Sequence, residues 1–317
     1  MESNSRKKPS VSIIIPTYQR PELLVRALDQ ARAQDYSEVI EIIVTDDSHD
    51  EVTKNLVQEI SIKDVRVSYV KNTRYERGPS GNKQNGLDHA TGAFLAILDD
   101  DDELIPTAIS DMIEPYLVHG YRHIFANCTR STDGLMSGKH YGASTEVSYQ
   151  DILQGKYEGE YFHLFARDLM GDYRIPDDTW VGESILLWRL FQQEGSYYLH
   201  KAVRIYHVDS GGNVSDQYLK HAQRTCNTYK YRVDLFGDDL KKYAPTRYQK
   251  YAYLAAFFAM VAGNTTTSRH YVSLAWHAGK INLKSIAMAG FILAPFPRRV
   301  KVWLYQQVKK WYTKIAR

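Results

Sequence analysis

The chain has 317 residues, of which 44% are hydrophobic and 24% charged, as is ordinary for a globular protein of one large domain or two smaller ones. A formal net charge of +3 is too small to indicate nucleic acid as a partner, and two cysteines, Cys128 and Cys226, exclude a disulfide framework and favour a reducing, cytoplasmic compartment. Residues 1–9 are polar and basic and no long apolar run occurs, so we expect neither a secretory signal nor a membrane-spanning helix.

Strand patterns alternate with helix patterns through the first hundred residues. Residues 11–17 form a β-branched apolar run that predicts a buried strand, and Pro21 begins a helix with apolar residues at helical spacing. The alternation continues with strands over 40–44, 65–70 and 94–98, helices over 52–60 and 83–90, and a loop over 78–82. Such alternation predicts a parallel α/β sheet. After Tyr218 the pattern is helical, so we divide the chain into domains at 1–217 and 218–317.

Two of the predicted strands end in carboxylates. Asp46 and Asp47 follow the second strand, and four consecutive aspartates, residues 99–102, follow the fourth. In open parallel sheets ligands bind outside the carboxyl ends of the strands, so we expect both clusters at one edge of the sheet. Four adjacent carboxylates repel one another, and a bound divalent cation is the simplest physical remedy. The alternative is an acidic loop or helix start exposed to water.

Four short motifs occur in a fixed order along this part of the chain. They are Pro-Thr-Tyr-Gln-Arg at 16–20, Thr-Asp-Asp-Ser at 45–48, Asn-Lys-Gln-Asn-Gly at 82–86 and Leu-Asp-Asp-Asp-Asp at 98–102. Together they resemble the family 2 inverting glycosyltransferases of the GT-A fold, in their bacterial glycan-assembly form. The resemblance implies a GT-A-like (Rossmann-like), mostly parallel sheet flanked by helices. A nucleotide-sugar half at about 10–105 would precede an acceptor half at about 106–217 and a helical C-terminal extension.

The resemblance also implies a nucleotide-sugar site with a metal ion. The donor-binding residues would be Pro16, Thr17, Tyr18, Arg20, Asp46, Asp47, Lys83, Asp99 and Asp100. The ligands of Mn²⁺ or Mg²⁺ would be Asp101, Asp99 and His207. A carboxylate accepts the ring N–H of uracil, which favours a UDP-sugar as donor. Lys83 keeps the charge but not the planar fork of the arginine that the family usually has there.

An inverting sugar transfer needs a base that deprotonates the attacking acceptor hydroxyl. Aligning the chain with the family on Arg189 places Glu183 at the base position, where the family usually has aspartate. The alternative interpretation is that Glu183 is an acid at a helix start, stabilised by the helix dipole. Asp177 and Asp178 are then the other candidates for the base.

The end of the chain combines apolar, aromatic and basic residues. The apolar stretch 285–297 is too short to span a bilayer and is followed by Arg298, Arg299, Lys301, Trp303, Leu304, Val308, Lys309, Lys310, Trp311, Tyr312, Lys314 and Arg317. This composition predicts helices that lie on an anionic membrane surface, at the inner face of the cell membrane. The alternatives are packing on the catalytic domain or a homodimer partner.

The sequence therefore predicts a metal-dependent inverting glycosyltransferase. It would move a sugar from a UDP-sugar to a saccharide acceptor, and the resemblance to bacterial family members implies an acceptor carried on a polyprenyl diphosphate, with another saccharide as the alternative. Two alternatives stay open: a sugar nucleotidyltransferase, and a non-catalytic relative that binds nucleotide-sugars or carbohydrates. The first alternative normally needs a glycine-rich loop after the first strand, which residues 16–20 lack.

Overall fold

The structure is a computed structural model that describes residues 6–138, 142–207, 217–278, 283–294, 297, 299–303 and 306. The chain divides into two compact units, Met1–Asn213 and Val214–Arg317. The described part of the first unit is a sheet flanked by helices, and that of the second unit is helical.

Over the described residues the first unit contains one sheet of nine strands. The strands are Val11–Thr17 (β1), Val39–Asp46 (β2), Val67–Lys71 (β3), Phe94–Ile97 (β4), Glu103–Leu104 (β5), His123–Arg130 (β6), Thr145–Val147 (β7), Tyr161–Ala166 (β8) and Ser196–Tyr206 (β9). Their order in the sheet is β3-β2-β1-β4-β8-β6-β9-β5, with β7 paired to β9.

The first unit contains helices α1 to α6, and the second unit contains helices α7 to α10. In the first unit they are Pro21–Arg32 (α1), Val52–Lys63 (α2), Pro79–His89 (α3), Ala108–His119 (α4), Tyr149–Leu153 (α5) and Glu183–Gln193 (α6), with a 3₁₀ turn over Arg167–Met170. In the second unit they are Ala222–Tyr243 (α7), Pro245–Ala262 (α8), Thr265–His277 (α9) and Leu283–Leu293 (α10).

Strand β1 lies at the centre of the core and is buried along its whole length. Its neighbours β2 and β4 both run parallel to it, with Ile14 in register with Ile43 on one side and Ile97 on the other. A strand enclosed by two neighbours and by helices has no face toward water, which explains its continuous apolar run. Because the three strands are parallel, their carboxyl ends meet at the same edge of the sheet. The predicted parallel α/β arrangement is confirmed for this half.

The second half of the sheet is mixed. Strand β8 runs antiparallel to both β4 and β6, and β7 and β5 run antiparallel to β9, whereas β6 and β9 are parallel. Half-buried antiparallel strands and buried parallel strands both appear as apolar segments in a sequence. The direction of a strand relative to its neighbours therefore does not follow from its composition. The architecture is that of a mixed α/β sheet flanked by helices.

The predicted loop over 78–82 is wrong, because helix α3 already begins at Pro79. Proline is favoured in the first turn of a helix, since its φ is fixed near the helical value and no N–H is lost. Gly81 permits the close approach of this turn to the preceding chain: a Cβ there would lie 2.1 Å from the carbonyl oxygen of Glu76. The glycine and proline that suggested a loop are the residues that allow a tightly packed helix start.

The second unit is a set of packed helices. Tyr271 of α9 donates a hydrogen bond to Asp234 of α7 (2.7 Å), and Gln249 of α8 donates to the carbonyl of Ala275 (3.1 Å). Helix α10 packs on α8 and α9. None of the helices in the described part of the chain is long and apolar enough to cross a membrane.

Part of the predicted basic surface at the C-terminus needs correction. Lys301 is buried, and its ammonium donates to the carbonyl oxygen of Ile292 (2.6 Å), so it does not belong to an exposed basic face. Arg299 and Trp303 are exposed. The remaining predicted residues lie outside the described residues: Arg298, Leu304, Val308, Lys309, Lys310, Trp311, Tyr312, Lys314 and Arg317.

Candidate active site

The carboxyl ends of β1, β2 and β4 bring the two predicted acidic clusters together. Thr17, the last residue of β1, donates from Oγ1 to Asp100 Oδ2 (2.6 Å), and its carbonyl accepts from the backbone N–H of Asp47 (3.1 Å). Asn82 of α3 donates from Nδ2 to the same carbonyl (3.0 Å). One threonine thus connects both clusters, which confirms that they share one edge of the sheet.

Residues 99–103 form an acidic run of four aspartates and one glutamate, and each of these carboxylates has a basic partner. The pairs are Asp99 with Lys83 (2.9 Å), Asp100 and Asp101 with Arg20 (2.5 and 3.1 Å), Asp102 with Arg204 (3.3 Å), and Glu103 with Arg26 (3.3 Å). The repulsion within the run is therefore offset by side chains of the protein itself. Charge repulsion alone does not require a metal ion here, which corrects the physical argument from which the metal was first inferred.

Burial separates the four aspartates into two pairs. Asp100 and Asp102 are fully buried, and burial raises the pKa of each to about 7 even though arginine partners act in the opposite direction. The side chains of Asp99 and Asp101 are 41% and 15% exposed. Asp99 and Asp101 are therefore the two of these four aspartates that a ligand can reach, while the predicted contact of Asp100 with a nucleotide stays a prediction.

The three predicted metal ligands do not form a closed cluster. His207 lies with Nε2 2.7 Å from Glu103 Oε1, and its backbone N–H donates to Asp102 Oδ1 (3.0 Å). Among the residues that the structure describes, no group of three or more histidine, cysteine or acidic side chains is arranged to hold a metal ion. Asp99 and Asp101 fit a hard cation that is held by one or two carboxylates and completed by phosphate oxygens, as Mg²⁺ commonly is. The structure gives no support for His207 as a third ligand.

The carboxylates at the end of β2 are occupied by protein donors. Asp46 accepts from the hydroxyl of Tyr69 (2.9 Å) and from the backbone N–H of Ser48 (2.7 Å). Asp47 accepts from the N–H of Gly78 (2.7 Å) and from Asn72 Nδ2 (2.8 Å). Both are buried, and burial raises the pKa of Asp47. They fix the loops around this edge, and their contact with a nucleobase stays a prediction.

The residues just after β1 differ in exposure. Pro16 and Thr17 are buried within the strand, whereas Tyr18 is exposed at the edge, with its ring 6.2 Å from the ring of His49. Gln19 has a positive φ of 52°, and its N–H donates to Ser48 Oγ (2.8 Å). Arg20 turns back to the acidic run. Of these predicted donor-binding residues, Tyr18 is exposed to solvent, whereas Pro16 and Thr17 are buried.

Lys83 connects the acidic run to the predicted base. Its ammonium lies 2.9 Å from Asp99 Oδ1 and donates to Glu183 Oε2. Lys83 is in α3, and Glu183 is the first residue of α6. Burial by itself would lower the pKa of the Lys83 ammonium, but the two carboxylates outweigh it and raise that pKa above its ordinary value. The structure thus brings Glu183 to the same edge as the exposed carboxylate of Asp99.

A close contact between α3 and the start of α6 holds Glu183 in place. Ser80 Oγ accepts from the N–H of Gly182 (2.8 Å) and lies 3.0 Å from the hydroxyl of Thr179. A Cβ at Gly182 would lie 2.3 Å from that hydroxyl, so glycine permits the approach. Asp177, a fallback candidate for the base, instead accepts from the backbone N–H of Glu76 (3.0 Å).

Arg204 and Arg26 are functional neighbours of the acidic run that the sequence did not predict. Arg204 is buried in β9 and pairs with Asp102, and Arg26 of α1 donates to the carbonyl of Asp101 (2.6 Å). A signal for Arg204 was present, since a cation inside an apolar strand segment needs a buried carboxylate partner. Both arginines hold the acidic run at the edge of the sheet.

Comparison with known proteins adds three findings. Residues 12–173 match the family described as Glycosyl transferase family 2. The chain is 36% identical over 264 residues to a GalNAc(5)-diNAcBac-PP-undecaprenol β-1,3-glucosyltransferase of Campylobacter jejuni, covering 81% of this chain and 84% of that protein. It is 31% identical over 221 residues to the UDP-Glc:α-D-GlcNAc-diphosphoundecaprenol β-1,3-glucosyltransferase WfaP of Escherichia coli, covering 69% and 85%.

The fold is shared with a solved structure. The mannosyltransferase PcManGT of Pyrobaculum calidifontis, in complex with GDP-Man and Mn²⁺, superposes with a TM-score of 0.56 at 19% identity, covering 95% of this chain and 85% of that one. At this identity the likeness concerns the fold.

Proposed function

Because the chain belongs to Glycosyl transferase family 2 and is a glycosyltransferase of the GT-A fold, we propose that it transfers a hexose with inversion from a UDP-sugar to a saccharide on a polyprenyl diphosphate. The relatives support the substrates, since both are named as β-1,3-glucosyltransferases with undecaprenol-linked acceptors. WfaP is also named for UDP-Glc. Glucose is therefore the first sugar to test.

One observation supports the reaction most directly: Lys83 joins Glu183 to Asp99, so a carboxylate suited to be a base lies beside the end of the sheet where donors bind. In the proposed reaction Glu183 takes the proton of the acceptor hydroxyl. The acceptor oxygen attacks the anomeric carbon on the face opposite the diphosphate. The bond from that carbon to the diphosphate breaks, and UDP leaves with the electron pair.

The same proposal includes a divalent cation at Asp99 and Asp101. These are the two partly exposed aspartates among residues 99–102, and a cation held there would stabilise the charge on the departing diphosphate. The mannosyltransferase of the same fold is in complex with Mn²⁺. The choice between Mn²⁺ and Mg²⁺ is left to the assay, because both take carboxylate and phosphate oxygens.

We also propose that helix α10 binds an anionic membrane surface. The helix packs on α8 and α9 and has Ser285, Ala289 and Ile292 buried, while Leu283 and Ile286 are 85% and 49% exposed. The helix is apolar on both faces, and packing within the unit buries only one of them, so the second apolar face is exposed to solvent. The exposed Arg299 and Trp303 follow it, and tryptophan with arginine suits the headgroup region of anionic lipid. This would place the enzyme beside a lipid-linked acceptor.

The reaction is tested by UDP release from UDP-Glc, measured with the purified full chain, Mg²⁺ or Mn²⁺, and an undecaprenyl-diphosphate-linked saccharide. We expect release that depends on the acceptor and stops when EDTA removes the cation, and GDP-Man serves as the control donor. Donor binding without turnover would indicate the non-catalytic alternative. Consumption of a sugar phosphate and UTP would indicate the nucleotidyltransferase. Unchanged release in EDTA would remove the cation from the proposal.

A further inference from the structure

We propose that the donor diphosphate and Glu183 compete for Lys83, so that donor binding releases the base. This inference rests on the proposed function and concerns a step that precedes the chemistry. In the structure Lys83 Nζ contacts Asp99 and Glu183 together. Lys83 is thus a positioning residue for Glu183, and its second role is to receive the incoming diphosphate.

The basic groups around the acidic run differ in how firmly they are held. Arg20 binds Asp100 and Asp101 together, and Arg204 is buried against Asp102. The partners of Lys83 are different, because the Glu183 side chain is 26% exposed and that of Asp99 is 41% exposed. Partners that reach solvent exchange their ion pairs at little desolvation cost. The nearest comparison is Arg26, whose partner Glu103 is 23% exposed, so Lys83 is the cation of this group with the most exposed partners.

Charge explains why the donor would compete for this ammonium. Lys83 with its two carboxylates carries a net charge of about −1 when all three are ionised, so the Glu183 carboxylate repels a diphosphate that arrives beside it, whether or not a divalent cation is held at Asp99 and Asp101. Replacing Glu183 by the diphosphate as a partner of Lys83 relieves that repulsion. It also leaves the Glu183 carboxylate free to accept a proton from the acceptor. The expected kinetic order is donor first and acceptor second.

The competition predicts an unusual result: removing the charge of Glu183 should tighten the binding of UDP. We expect Glu183→Gln to lower the Kd for UDP by about 3- to 10-fold, as measured by isothermal titration calorimetry at fixed Mg²⁺ and ionic strength, because Lys83 is then no longer occupied. Lys83→Met should weaken UDP binding. In the Lys83→Met background the Glu183→Gln substitution should have no effect, since no ammonium is left to release.

Three controls separate competition from general electrostatics. Glu59, an exposed carboxylate of α2, is replaced by Gln, and we expect a change in UDP affinity below about twofold, because an exposed charge is screened by solvent and salt. UMP, with one phosphate fewer, should gain less than UDP from Glu183→Gln. Lys83→Arg keeps the positive charge if Lys83→Met is unstable, and the tightening by Glu183→Gln should persist in it.

The outcomes distinguish this inference from the proposed function. If the unaltered chain binds UDP but Glu183→Gln leaves the affinity unchanged or weakens it, the Lys83–Glu183 contact is structural and the competition is wrong, while the proposed transfer stands. An equal tightening in the Lys83→Met background would also overturn it. If the unaltered chain does not bind UDP at all, the proposed function fails and the inference fails with it.

Discussion

At the scale of single residues, the candidate base is defined by position rather than by residue type. Glu183 is the first residue of α6, where a carboxylate is stabilised by the positive end of the helix dipole. That was the alternative interpretation of the sequence, and the two roles are compatible. The positive end of the helix and the Lys83 ammonium both lie beside the carboxylate that would accept the proton.

Replacing Glu183 by Gln should abolish transfer while UDP binding remains. A general base contributes about 10²- to 10⁴-fold to a rate, so we expect a loss of this size in kcat, measured by acceptor-dependent UDP release. Asp177→Asn and Asp178→Asn are the matched controls and should keep most of the activity. Full turnover by Glu183→Gln would move the base to one of these two aspartates.

Gln19 holds a left-handed backbone conformation that suits a smaller residue. With φ at 52° it lies in the region that asparagine and glycine tolerate best. We expect Gln19→Asn to raise the free energy of unfolding by about 0.5 to 1 kcal/mol, measured by urea denaturation. Gln58→Asn on the exposed side of α2 is the control and should be slightly destabilising, because asparagine is the weaker helix former. A less stable Gln19→Asn variant would contradict the argument.

At the scale of secondary structure elements, one carboxylate joins the end of α1 to the start of β3. Asp64 accepts from Arg66 through both oxygens (2.9 and 2.7 Å) and from Arg32 Nε (3.2 Å), and Arg66 also donates to the carbonyl of Arg32 (3.0 Å). Hydrogen bonds from Arg66 hold the pKa of Asp64 well below its usual range, although burial acts against them.

Asp64→Asn should therefore destabilise the fold in a pH-dependent way. Since the pKa is lowered in the folded state, the stabilisation is present above the unfolded pKa of about 4 and is lost as the pH falls toward the folded value. We expect the free energy of unfolding to fall by about 1 to 2 kcal/mol at pH 7 and by less below about pH 4, as measured by urea denaturation at pH 7 and at a pH below 4. Asp29→Asn, on the exposed partner of Arg32, should change stability little. A loss independent of pH would mean that the charge of Asp64 is not responsible.

At the scale of the whole molecule, the chain consists of an α/β unit that carries the candidate active site and a helical unit that carries the exposed apolar helix α10. The two have different chemistry on their surfaces. The first presents charged groups at a sheet edge, and the second presents the exposed apolar side chains of Leu283 and Ile286, with the exposed Arg299 later in the chain.

The double substitution Leu283→Glu with Ile286→Glu should reduce binding to vesicles that contain phosphatidylglycerol, because it places carboxylates on the exposed face of α10. Co-sedimentation measures the binding, and vesicles of phosphatidylcholine alone test its dependence on anionic lipid. Ile62→Glu with Val65→Glu, at exposed sites of the first unit, is the matched control and should bind normally. If vesicle binding is unchanged while a dimer dissociates, the face of α10 contacts a second copy instead.

The sequence by itself determined the parallel half of the sheet, the acidic strand ends and the helical C-terminal third. These follow from local patterns, since burial of a strand or helix is visible in the spacing of its apolar residues. Local patterns did not predict the helix start at Pro79, because proline and glycine are favoured both in loops and in tightly packed first turns. They also did not predict the antiparallel strands of the second half.

Only the tertiary structure decided which charges meet. Lys83 and Glu183 are 100 residues apart in the chain, and His207 pairs with Glu103 rather than joining Asp99 and Asp101. Electrostatic partners are selected by three-dimensional proximity and burial, which no spacing along the chain encodes. The sequence could therefore show that acids gather at one edge of the sheet, while the fold determined which bases neutralise them and which carboxylates stay within reach of a ligand.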